Sequence, residues 1–181
     1  MATREEIVKS LVLFGIAHPK EASHYKDPAV MELWVTMLSD LPSDLLMQAV
    51  HECIATLTWF PKIAEVRQAA FDIQQAIDPI PDAHTAWGEV LRELDRVGHC
   101  TMYGQELRFS HPLIRAVAEQ FNWQRLCESE NLVSDRAQFI QAYNNRRETL
   151  LIEARRLGQT RRFIALKAGE QKQLLGESNH S

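Results

Sequence analysis

The side chains able to do chemistry stand apart from one another in this chain of 181 residues. His51-Glu52-Cys53 sets three ligand types in a row inside a stretch of helical periodicity. Adjacent residues on a helix do not share a face. No H-x-x-x-H or C-x-x-C supplies the further ligands a metal site needs. His99-Cys100 could ligate a metal only with distant partners. Asp72 and Asp78 have no acid–base partner brought beside them by three- or four-residue spacing. The P-loop G-x-x-x-x-G-K-[ST], the dinucleotide pattern G-x-G-x-x-G and the nucleophile elbow G-x-S-x-G are all absent. The residues therefore predict no enzyme: no catalytic residue, metal site or cofactor is assigned.

Binding chemistry is better represented. Arg146-Arg147, Arg155-Arg156 and Arg161-Arg162 form three basic pairs, and Phe163 follows the last. Arginines beside an aromatic side chain suit phosphates and stacked bases. The same spacing, continued by Ile164, Leu166, Leu174 and Leu175, suits an amphipathic segment that docks on a protein. The charge is unevenly spread. Residues 144–181 hold 8 Lys+Arg against 4 Asp+Glu, whereas residues 1–143 hold 12 against 20. An acidic body with a basic arm points to a contact made by the arm. The other candidate surface follows Trp59-Phe60-Pro61, where Lys62, Glu65, Arg67 and Gln68 would decorate a helix start. Glu65 opposes phosphate and the surroundings are acidic, so duplex reading by this helix is disfavoured.

These groups must be positioned by helices. Thr3 and Glu6 have capping-box spacing, with Ile7, Leu11 and Phe14 on one face and a stop near Ala17-His18-Pro19. Asp27-Pro28 opens a second helix with the stripe Val30, Leu33, Trp34, Met37, Leu38 and Leu41. Pro42-Ser43 is read as the cap of a third, lined by Leu46, Ala49, Val50, Cys53, Ile54 and Leu57. Pro61 suits the first turn of a fourth, with Ile63, Val66, Ala70, Ile73 and Ile77 inward. Asp82 can cap a fifth that turns Trp87, Val90, Leu91 and Leu94 inward and ends near Gly98. Residues 98–109, with Met102-Tyr103 between glycines, read as a loop or short hairpin. Ser110-His111-Pro112 starts a further helix, with Trp123 and Trp87 as core anchors of this half. A long helix runs from Ser134 to about Arg156, with Gly158 as its C-cap.

The expected fold is all-α. A four-helix unit spans 1–77, a linker 78–85, a second helical unit 86–157 and a basic, flexible tail 158–181. Three widely spaced cysteines fit free thiols in a reducing cytoplasm. The start of the chain lacks the features of a signal peptide. No apolar run approaches the roughly 20 residues that span a bilayer, so no membrane contact is expected.

One ordered set of residues has a further meaning: Trp34, Met37-Leu38, Leu41-Pro42, Leu45, Ala49-Val50, Ile54, then Phe60-Pro61 and Ile63-Ala64-Glu65-Val66-Arg67. It resembles the phage replicative helicase loader/inhibitor family of Gram-positive phages over about residues 5–75. That family has a tryptophan helix, an Ala-Val helix and an F-P-x-I-A-E-I-R turn. Here Val66 stands where isoleucine is usual. The resemblance implies a non-enzymatic adaptor in the bacterial host cytoplasm. It would bind the hexameric replicative helicase, hold it inactive and deliver it to an origin-bound replisome organiser. The implied helicase contact lies in the C-terminal segment, with Arg155, Arg156, Arg161, Arg162, Phe163, Ile164 and Leu166 as candidates and Lys62, Glu65 and Arg67 as a second surface. The alternative reading is a DNA-binding replication initiator or regulator using the basic arm; a weak DNA contact by that arm is compatible with either.

Overall fold

The computed structural model describes residues 1–21, 27–98, 106–121 and 123–177, with side chains given to residue 169. Among the described residues there are nine α-helices, one short 3-10 turn and no strand. The chain divides into two compact units, Met1–Asp78 together with Glu153–Ser181, and Pro79–Ile152.

In the first unit α1 (Arg4–Ala17), α2 (Pro28–Leu38), α3 (Ser43–Thr56) and α4 (Ile63–Ile77) surround one core. Local chemistry sets most of their starts. Thr3 and Glu6 form the expected capping box on α1, and Asp27 accepts from the Ala29 amide ahead of α2. Ser43 differs from expectation. It is the first helical residue of α3, and its hydroxyl donates to the Met1 carbonyl and, at 2.9 Å, to Glu6. The serine thus ties α3 to α1 and caps nothing. Ile7, Leu11, Phe14, Trp34, Leu38, Leu46, Ala49, Val50, Val66 and Ala70 are buried. Leu33 and Ile77, expected inward, are exposed. The α2 face centres on Trp34 and Leu38, and Ile77 lies at the last position of α4, past its buried residues Val66 and Ala70.

Phe60 completes this core between helices. Its ring lies 5.6 Å from Phe14 and 5.9 Å from Trp34, both edge-on, and Phe14 is 6.1 Å from Trp34. Edge-to-face rings at this separation attract beyond their burial. The Phe60 amide also donates to Glu21. Pro61 is buried beside it.

The second unit contains α5 (Ala83–Val97), α6 (Pro112–Gln120), the single-turn α7 (Trp123–Cys127) and α8 (Leu132–Arg155) to Ile152. Asp82 caps α5 through the His84 and Thr85 amides and the Thr85 hydroxyl. These hydrogen bonds, the Thr85 hydroxyl first, lower its carboxyl to about 2. Trp87, Phe139 and Tyr143 are buried in contact, with Phe121 against Phe139. The Tyr143 hydroxyl donates to the Pro81 carbonyl, and burial raises its pKa to about 12. Trp123 is half-buried, its indole N–H on the Gly98 carbonyl and its ring edge-on to Phe109.

Three expectations need correction here. Leu91 is exposed and Glu93 is buried instead. The Glu93 carboxylate accepts two bonds from Arg96 and one from the Arg108 amide, which together hold its pKa down against burial. The long helix α8 starts at Leu132, where Asn131 accepts from the Ser134 amide; Ser134 is not the cap. Gly158 does not cap α8 either, but begins a further helix, α9 (Gly158–Glu177). His99, Cys100, Met102 and Tyr103 lie outside the described residues.

Candidate functional site

The two sequence-derived surfaces, one after Pro61 and one in the arm, both belong to the first unit. On α4, Glu65 turns back to the start of its own helix. It accepts from the Lys62 amide at 2.7 Å and from the Trp59 indole at 3.2 Å. Its neighbour Lys62 is exposed, and Trp59 keeps 48% of its surface in solvent.

Arg67 is engaged more deeply. One guanidinium nitrogen bonds both the Met37 carbonyl and Asp40 Oδ1 at 2.7 Å, and the other bonds Asp40 Oδ2 at 3.1 Å. The two side chains are 15% and 13% exposed. This fork geometry is the strong form of a carboxylate–guanidinium pair. The Gly158 amide adds a third bond to Asp40 Oδ2 at 2.7 Å, and Gln159 reaches the Thr36 carbonyl. Burial acts to raise the Asp40 carboxyl, but the Arg67 bonds and the Gly158 amide outweigh it and hold it low. Arg155 packs its guanidinium over Phe71, 4.5 Å from the ring centroid. The start of α9 is therefore joined to the loop after α2, and the residues just before it to α4.

The segment expected to be a loose tail is helical for this reason. A helix start leaves amides without intrahelical partners, and Asp40 takes the one on Gly158. No residue near Gly158 in the sequence signals a partner 118 positions away. Asp40 is the principal positioning residue that pattern reading misses.

Beyond this anchor α9 presents an uncovered surface. Arg161 and Arg162 are exposed, as are Phe163 at 61%, Ile164 at 41% and Leu166 at 67%. Phe163 and Leu166 are neighbours at i, i+3. Arg156 is half-buried. The side chains of Leu174 and Leu175 lie outside the described residues. The first arginine pair belongs to the second unit, with Arg146 exposed and Arg147 half-buried.

The residues considered for catalysis do not converge. His51 and Glu52 are exposed, and Cys53 is buried, its thiol raised to about 11 by burial and then by Glu65 and Glu52. Among the described residues no three His, Cys, Asp or Glu side chains stand together as a metal site. No helix among them is long and apolar enough to cross a membrane.

The comparison with protein families bears on the helices that hold this surface. Residues 2–67 match the N-terminal domain of the phage helicase loader family. The match covers α1–α3 and the Phe60-Pro61 turn, ending at Arg67 on α4. It includes the residues that carry the resemblance to phage helicase loaders, from Trp34 to Arg67. No curated protein and no solved structure matches the chain. Within the loader-like segment, Arg67 and Asp40 hold the base of the arm, and the arm itself lies outside the matched residues.

Proposed function

We propose that this chain is a non-enzymatic adaptor of phage DNA replication. It binds the hexameric replicative helicase, holds it inactive and delivers it to an origin-bound replisome organiser. The observation that carries this reading is the match of residues 2–67 to the N-terminal domain of the phage helicase loader family.

The mechanism is one of binding energy. The sequence has no P-loop, so the adaptor acts by differential affinity. It binds one helicase conformation more tightly than the other and shifts the population toward it. The contact is assigned to the arm: Arg155, Arg156, Arg161 and Arg162 provide charge, and Phe163, Ile164 and Leu166 provide apolar area. Exposed aromatic and arginine side chains are the types that anchor protein interfaces. Lys62 adds to a second contact around Trp59, while Glu65 and Arg67 act there by positioning. Anchoring of α9 at Asp40 supports this reading, since a contact surface already fixed in direction loses less freedom on binding.

Deleting residues 158–181 tests the assignment. The truncated chain should keep its helical circular-dichroism signal, because Asp40 retains Arg67. It should lose at least about tenfold in helicase affinity, about 1.4 kcal/mol. Wild-type affinity in the truncated chain would place the contact elsewhere.

A further inference from the structure

A groove in the first unit extends the arm's role. Its floor is apolar, formed by Leu41, Pro42 and Leu45 with Ala64 and Phe71 of α4, and Arg155 and Arg161 stand at its edge. It encloses about 440 Å³, within the range of about 300–1,000 Å³ typical of ligand clefts. Its charged lining residues are three arginines and one aspartate. Asp40 is already taken by Arg67 and the Gly158 amide, so two positive charges, Arg155 and Arg161, face the groove unbalanced. Both are exposed. Arg155 lies over the Phe71 ring, and a guanidinium stacked in this way is held in place with donors still available to a carboxylate.

The groove's charge contrasts with its surroundings. Residues 1–78 hold 6 Lys+Arg against 11 Asp+Glu. A nucleic acid laid over this groove would have its phosphates repelled by the rest of the acidic helical body. A short protein segment would meet only the groove. An apolar floor with cationic edges fits one in which leucine- or isoleucine-type side chains alternate with Asp or Glu.

We infer that this groove is a docking site for an acidic amphipathic segment of the helicase, distinct from the contact made by the outer face of α9. The inference rests on the helicase-adaptor reading above and adds a second, chemically defined contact to it. Arg155 and Arg161 pair with carboxylates of the bound segment, and its apolar side chains cover Leu41, Leu45 and Phe71.

The experiment uses the full chain with a photo-crosslinking residue placed at the exposed, groove-lining Ala64, irradiated with purified replicative helicase. The expected result is a crosslink to a helicase segment rich in Asp or Glu and aliphatic residues. The double variant Arg155→Ala, Arg161→Ala should bind the helicase at least tenfold more weakly. Gln74→Glu with Gln75→Glu, which leaves the arginines in place and adds opposing charge, should weaken it in the same direction. If the chain co-purifies with helicase while position 64 captures nothing and both variants bind normally, the groove inference falls and the adaptor reading stands. A crosslink to a basic segment would also overturn the inference. If the full chain captures no helicase at all, the adaptor reading falls and this inference with it. If the arginine variant instead loses affinity for a single-stranded oligonucleotide and keeps its helicase affinity, the groove is a nucleic-acid site and the inference is wrong.

Discussion

Phe14→Ala should destabilise the first unit by about 3–5 kcal/mol, the range for a buried phenylalanine cut to alanine. Phe14 has 0% exposure and touches the rings of Trp34 and Phe60. The variant loses burial, leaves a cavity, and breaks two aromatic contacts of about 0.5–1.5 kcal/mol each. The cavity cannot close cheaply, because Trp34 sits on α2 and Phe60 is held ahead of α4 by Pro61 and by its amide bond to Glu21. Hydrogen exchange of the α1 amides reads the effect within this unit. Val12→Ala, on the same helix at an exposed position, is the control and should stay within about 0.5 kcal/mol of wild type. Equal effects of the two substitutions would contradict this core.

Asp40→Ala should cost about 3 kcal/mol, since removing one partner of a largely buried ion pair strands the other. Arg67 keeps only the Met37 carbonyl, and the Gly158 amide loses its acceptor. Two responses are expected together: lower resistance to urea, and faster hydrogen exchange at the start of α9. Gly158→Ala probes the same junction from the other side. A Cβ there would stand 3.1 Å from Asp40 Cβ, so the helix start must shift away. The pair also sets an acid dependence. The Asp40 carboxyl is lowered in the folded chain. Its stabilisation is therefore complete above its unfolded value of about 3.9 and is lost as pH falls through the lower folded value. Asp40→Ala should remove that part of the acid response. An unchanged α9 exchange rate in Asp40→Ala would show that the anchor does not hold the arm.

What is legible in the sequence is chemistry of short range. The caps at Thr3, Asp27 and Asp82 involve partners two or three residues away, and all three form. The helix faces can be read in phase but not to the residue. Leu33 and Leu91 sit at the margins of their stripes, and nothing in a period of 3.6 distinguishes a margin from a centre. Glu93 cannot be read as buried without the Arg108 amide that meets it from a loop 15 residues on. Ser43 has the residue type of a cap, yet its hydroxyl is used by Glu6, 37 residues earlier. The arm is visible as charge and aromatic content. Its anchor is not, because Asp40, Arg67 and Gly158 are joined only by the fold, over separations of 27 and 118 residues.

The adaptor reading is tested most directly by titrating the purified chain against the hexameric replicative helicase and, in parallel, against DNA over a salt series. The account predicts saturable helicase binding that changes the helicase ATPase rate. DNA binding should be no stronger than the non-specific range of about 10⁻⁴–10⁻⁶ M, falling steeply as salt rises. Tight DNA binding with no detectable helicase complex would contradict the account and favour a DNA-binding regulator.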